Sequence, residues 1–131
     1  MKCFDPLPPE VEKVASETVG SAYKVHRTLG PGLLESVYEL CLAHELRKRG
    51  LEVRTQLNLP IAYEDITIDS GLRPDMLVAG VLLVEIKAVE KIHAVHQAQL
   101  LTYLKLMQKR LGLLINFNVP VLKQGIKRII L

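Results

Sequence analysis

The chain has 131 residues, of which 49% are hydrophobic and only 5% aromatic, with no Trp and a net charge of +3. That length suits one domain, residues 1–131, with an aliphatic core and no room for a second. The mild excess of base is compatible with a nucleic-acid partner without requiring one. No apolar run approaches the length of a membrane span, so no membrane partner is expected. "MKCFDPLPPEVEK" lacks the long apolar core of a signal peptide. Cys3 and Cys41 show no metal-ligand spacing, and Cys41 falls inside a helical pattern. Reduced cysteines and a cytoplasmic location are the expectation.

Pro8 and Pro9 preset a helix start, and Glu10 and Glu12 suit its first turn. Val11, Val14, Ala15, Thr18, Ala22, Val25 and Leu29 then recur at threes and fours, which predicts an amphipathic helix to about Thr28. "LGPG" breaks it. A second helix is expected from near Leu33 to Gly50, with Arg47, Lys48 and Arg49 in its last turn, where cations suit the macrodipole. Residues 51–87 read as three strands: "LEVRTQLNLPIAY", "ITIDSGLRPDMLV" and "VLLVEIK". A third helix spans about Ile92 to Arg110, followed by the strands "LGLLINFN" and "GIKRIIL". The order is ααβββαββ. Adjacent strands in the middle imply antiparallel hairpins, and the late strand–helix–strand unit implies one parallel, right-handed crossover. The fold class is therefore α/β (α+β), a mixed central sheet flanked by helices.

Charge sits where a buried strand should have none. Glu85 and Lys87 follow Leu82, Leu83 and Val84, and Asp75 lies ten residues before Glu85. Glu85 and Lys87, two apart on a strand, project from one face. A two-residue turn at Ala79-Gly80 would set Asp75 against Val84, pointing away from Glu85. A three-residue loop of Ala79, Gly80 and Val81, or a bulge, would set it opposite Glu85, with Gly80 able to supply a positive φ. Two carboxylates so placed repel each other unless a cation lies between them. Lys87 can serve in part. A divalent ion serves better, because Mg²⁺ favours hard oxygen ligands and is often held by one or two carboxylates plus phosphate oxygens. The competing reading is a Glu85–Lys87 salt bridge at a strand end.

"PD" at Pro74-Asp75, followed by "EIK" at Glu85-Ile86-Lys87, resembles the PD-(D/E)xK nuclease superfamily. "QLLTY", with Gln99 and Tyr103, looks like the Q-x-x-x-Y helix motif of one branch. "GLLESVY", with Gly32, Glu35 and Tyr38, resembles the signature of the bacterial GxxExxY family of that superfamily. The resemblance runs from about Val11 to Ile130 and implies a restriction-endonuclease-like fold. It implies Asp75 and Glu85 as metal ligands, the Ile86 carbonyl as a third, and Lys87 as the group that positions the nucleophile. Glu35 would be the acid from the early helix, with Tyr38 one turn later on the same face. Gln99 interrupts an apolar stripe, so it should face the site and orient a carboxylate, Lys87 or a phosphate. Tyr103 is either another site residue or core with its hydroxyl satisfied. His26, ending the first helix, is either a further ligand, as in some branches, or structural. Arg73 beside Asp75 is a salt bridge or a phosphate clamp. His93 and His96 read as packing or rim residues.

Phosphate contacts need bases on one surface. Lys24 and Arg27, Arg47 to Arg49, Lys105, Lys109 and Arg110, and Lys123, Lys127 and Arg128 supply candidates, most of them ordinary solvated faces. No recognition-helix motif or stacking platform reads bases. The function expected is a Mg²⁺- or Mn²⁺-dependent nuclease acting on DNA more than RNA. The alternative is a nuclease-fold binding or assembly module with little or no catalysis. A homo-oligomer, a dimer above all, is expected because so apolar a small domain gains both basic surface and burial by pairing.

Overall fold

Helix α1 (Pro9–Leu29) starts on Pro8 and Pro9 and buries the expected stripe from Val11, Val14, Ala15, Thr18 and Ala22 to Val25, together with Ser21, but leaves its last member, Leu29, exposed at the helix end. The structure, a computed structural model, describes residues 5–131, so the expectation for Cys3 lies outside it. Cys41 is a free, half-buried thiol. Gly30 and Gly32 take positive φ in the loop after α1, and α2 (Glu35–Lys48) returns across it with Tyr38, Leu42, Ala43 and Leu46 buried.

Two of the three expected middle strands break in half. The run from 51 to 63 divides at Gln56, whose φ is +50°, into β1 (Val53–Thr55) and β2 (Leu59–Tyr63). The run from 66 to 78 divides at Arg73-Pro74-Asp75 into β3 (Ile66–Leu72) and β4 (Met76–Val78). The inner halves, β2 and β3, pair with each other as a separate two-stranded ribbon, while β1 and β4 stay in the main sheet. Pro74 has no N–H to give a ladder, which suits a break there. β5 (Leu82–Lys87), α3 (Ala94–Met107), β6 (Leu111–Asn116) and β7 (Ile126–Ile130) complete the chain, with a 3₁₀ turn at Leu122–Gly125 before β7.

The main sheet has the order β1-β4-β5-β6-β7. β5 and β6 are parallel, joined through α3, and every other neighbouring pair is antiparallel. Alternation along the strands splits the core between the two sheet faces. Met76, Val78, Val84 and Ile86 pack with α1 and α2. Leu77, Leu83 and Leu114 pack with Leu100, Tyr103 and Leu104 of α3. α3 can approach because β6 carries Gly112, where a Cβ would lie 2.9 Å from Leu100 Cγ.

Candidate active site

The β4–β5 connection decides where the acids point. Val78 pairs with Leu82, Leu77 with Leu83 and Met76 with Val84, so the loop is the three-residue Ala79, Gly80 and Val81. Ala79 and Gly80 both take left-handed φ, +52° and +70°. One further step in this register sets Asp75 opposite Glu85. Both then share a face with Leu77 and Leu83, the face toward α3.

The two carboxylates interlock with each other's main chain. The Asp75 N–H donates to Glu85 Oε1 at 2.8 Å, and the Ile86 N–H donates to Asp75 Oδ2 at 2.8 Å. These bonds lie at the sheet's end and tie both side chains down, Asp75 just before β4 and Glu85 within β5. Burial, the largest influence, raises the Asp75 pKa to about 6. Burial and then the Asp75 charge raise Glu85 to about 7, against the pull of the Asp75 N–H and Lys87.

Lys87 is half-buried on the same strand face and lowers both acids. Among the described residues it makes no ion pair within 4.0 Å, so the Glu85–Lys87 salt bridge is not what forms. Glu35 starts α2 at the other wall, where its Oε2 accepts the Ala88 N–H at 3.3 Å. Glu35, Ser36, Glu39, Gln56, Asp75 and Ile86 line one cleft. Tyr103 is buried beneath α3, and its hydroxyl is held up to about 12 by burial and by the charges of Glu85 and Asp75. Gln99 is half-buried one turn earlier and hydrogen-bonds neither acid nor Lys87. Burial, then Lys87 and His93, lower the pKa of His96, which sits at the rim with its Nδ1 accepting the His93 N–H.

Three candidates lie apart from the acids. Tyr38 is fully buried and stacks on Phe117 with centroids 4.5 Å apart. Its hydroxyl donates to the Gly30 carbonyl and accepts the Leu33 N–H, so it ties down the α1–α2 loop and has no surface for substrate. His26 Nε2 donates to the Val119 carbonyl at 2.7 Å, a tie between α1 and the segment after β6 rather than a ligand position. Arg73 is exposed and, among the described residues, forms no ion pair with Asp75.

Glu39 and Gln56 belong to the cleft and were not expected there. Gln56 donates from its own N–H to the Asp75 carbonyl at 2.9 Å and from its side chain to Glu39 Oε1 at 2.8 Å. Glu39 raises the Asp75 pKa from across the cleft. Its spacing of four from Glu35 was the available signal. Gln56 offered none, inside a run that reads as one continuous strand.

Among the described residues no three His, Cys, Asp or Glu side chains form a ready-made metal cage. Asp75 and Glu85 each commit one oxygen to a main-chain N–H and keep a second oxygen free of any such bond. That donor set fits a hard cation that takes its other ligands from water and substrate, and burial that Lys87 offsets only in part is what such an ion relieves. It offers nothing to a metal that needs thiolates or imidazoles.

A mixed sheet between helices, ending in a pair of acids and a lysine, defines a restriction-endonuclease-like protein. The family model described as the PD-(D/E)XK nuclease superfamily matches residues 12–129, and the chain belongs to that superfamily. Its members generally use divalent metals, and membership suggests a nuclease with a nucleic-acid substrate. Neither curated proteins nor solved structures gave a match. Among the described residues no helix is long and apolar enough to cross a membrane.

Proposed function

We propose that this chain is a Mg²⁺- or Mn²⁺-dependent nuclease of the GxxExxY branch. In this reading it works as one domain in the cytoplasm, as a homodimer, and cuts DNA in preference to RNA. The interlocked Asp75–Glu85 pair with Lys87 on the same strand face carries the reading. Asp75, Glu85 and the Ile86 carbonyl would hold the ion, which polarises a phosphoryl oxygen and makes bound water more acidic. Lys87, free of a salt bridge, donates a hydrogen bond that positions the attacking water and neutralises charge building up on the phosphate. Glu35 and Glu39 form the acidic far wall and keep phosphate oxygens on the Lys87 side. Gln99 supplies an amide to the substrate phosphate. Among the described residues no aromatic side chain lines the cleft, and Tyr38, Tyr103 and Phe117 are buried, which favours duplex DNA over unstacked bases.

The test pairs calorimetric Mn²⁺ titration with cleavage of supercoiled DNA, linear DNA and single-stranded RNA at low salt. Asp75→Ala and Glu85→Ala should each weaken Mn²⁺ binding. Lys87→Ala should bind Mn²⁺ at least as well as wild type and cut roughly 10²–10⁴-fold more slowly. Wild type that binds Mn²⁺ through these acids yet cuts nothing is a binding module. Lys87→Ala that cuts at the wild-type rate removes the assigned mechanism.

A further inference from the structure

Helix α3 brings one unassigned side chain to the acid end of the sheet. It runs back from the end of β5 to the start of β6, so its first turn lies at the edge where Lys87 ends β5. Leu100 rests on Gly112, which is paired with Leu83. His96 lies one turn before Leu100 on the same helix face, which Leu100 and Leu104 bury against the sheet. Four residues of helix advance about 6 Å. Two residues of strand advance about 6.6 Å, and from Leu83 that step reaches Glu85. His96, half-buried, therefore stands over Glu85 and Lys87, which point to this face. Consistent with that placement, Lys87, His93 and Glu35 are the titratable groups whose charge acts on its ring.

The two ring nitrogens have separate tasks. Nδ1 accepts the His93 N–H at 3.0 Å and closes the first turn of α3. Burial, Lys87 and His93 favour the uncharged imidazole. An uncharged ring that accepts at Nδ1 carries its proton on Nε2. Among the described residues Nε2 has no hydrogen-bond partner, and it is not sealed from solvent. Capping the helix needs only an acceptor at this third position, which Glu or Gln ordinarily supplies. A histidine meets that need and adds a donor on the opposite edge of the ring, away from the helix end. Glu35 does not use that donor, because its Oε2 accepts the Ala88 N–H.

We propose that His96, through its Nε2–H, holds a non-bridging oxygen of the backbone phosphate next to the scissile one. This rests on the nuclease reading and adds a substrate contact to it. Gln99, one turn deeper along α3, serves the phosphate at the metal, and His96 lies nearer the rim, where the strand continues. The contact falls on the Lys87 side of the cleft, away from the acidic wall of Glu35 and Glu39. An uncharged donor grips the phosphate without adding positive charge beside the ion that Asp75 and Glu85 would hold.

Binding of a short DNA duplex, held uncut with Ca²⁺ in place of Mn²⁺, reads this contact apart from cleavage. His96→Ala should weaken binding about tenfold. The slope of log affinity against log salt should not change, because the lost donor is uncharged, whereas Lys87→Ala should lower it by about 0.9. His96→Gln should recover most of the affinity, since its amide can take the cap and still offer an N–H. His96→Glu keeps the cap without a donor and should bind at least as weakly as His96→Ala. It replaces the alanine variant if circular dichroism shows that one unfolded. Imidazole ¹⁵N spectra should show a bare Nδ1 and a protonated Nε2 before DNA is added, and a downfield shift of the Nε2 proton afterwards. Wild type that gives these results yet cuts nothing with Mn²⁺ ends the nuclease reading and keeps the phosphate contact. Wild-type affinity in His96→Ala and His96→Glu, a salt slope lowered by about 0.9 in His96→Ala, an unmoved Nε2 proton, or wild type that binds no duplex overturns the proposal.

Discussion

Asp75→Asn should make the metal-free protein more stable above neutral pH, although it removes a residue of the site. The Asp75 carboxyl rises from 3.8 to about 6, chiefly through burial. Glu85 rises from 4.5 to about 7, through burial and then through Asp75. A carboxyl with a raised folded pKa holds its proton more tightly in the native state. The stability it gives is fully present below its unfolded pKa and is lost as pH rises through the folded value. The window here runs from about pH 4 to about pH 7. At about 1.4 kcal/mol per unit, two shifts of roughly two units each approach 6 kcal/mol. Solvent still reaches both groups, which brings the pair to roughly 2–4 kcal/mol. The Asn side chain keeps a carbonyl for the Ile86 N–H but carries no charge, so it removes its own share and the repulsion on Glu85. The variant should exceed wild type by ~1–2 kcal/mol at pH near 8, on the order of 4–8 °C in Tm, and lose that advantage near pH 5. Urea denaturation in the presence of chelator, across this range, measures the difference. A gap between variant and wild type that does not change with pH refutes the reasoning.

Mn²⁺ affinity should rise with pH up to about 7 and then level, because both carboxylates must lose protons to bind; calorimetry showing constant affinity through that range would count against Asp75 and Glu85 as ligands. Tyr38→Phe should cost ~1–2 kcal/mol in denaturant, by stranding the Gly30 carbonyl and the Leu33 N–H, while Mn²⁺ affinity stays unchanged. Ala79→Gly should raise Tm, worth roughly 0.5–1 kcal/mol, because it frees a left-handed alanine in the β4–β5 loop; a lower Tm contradicts that account.

α1 was legible because its apolar spacing and end residues agree from Pro9 through Val25, whereas α3, apolar nearly all round, buries Leu100 and Leu104 and leaves Val95 and Leu106 exposed. The β4–β5 register was not, because "VAGV" permits a two- or a three-residue loop and only tertiary pairing chooses. The choice matters: one residue of slip would have turned Asp75 away from Glu85. The breaks at Gln56 and Pro74 were hidden for a related reason. β2 and β3 keep strand-like composition and pair antiparallel as adjacent strands should, but nothing local says that the pair leaves the main sheet. Glu35 and Tyr38 show the limit of helical spacing. Three residues leave them about 60° apart around α2, enough for Glu35 to reach the cleft while Tyr38 turns beneath the loop onto Phe117. Tyr103 was left between site and core, and the structure packs it in the core, with its hydroxyl in the field of the two acids.

The ribbon is rooted by two main-chain bonds, from the Gln56 N–H to the Asp75 carbonyl and from the Leu57 N–H to the Pro74 carbonyl. Mechanically it is a lever. Its longer strand has seven residues, an arm of roughly 20 Å at about 3.3 Å per residue, and its pivot is the peptide of the residue that opposes Glu85. Between its tip and that pivot lie Gly71, at φ +70°, and a register shift between Leu59 and Ile61. The root of the ribbon is shared with the carboxylate, while a tilt at Tyr63 or Ile66 therefore reaches Asp75 only through an irregular pair of strands.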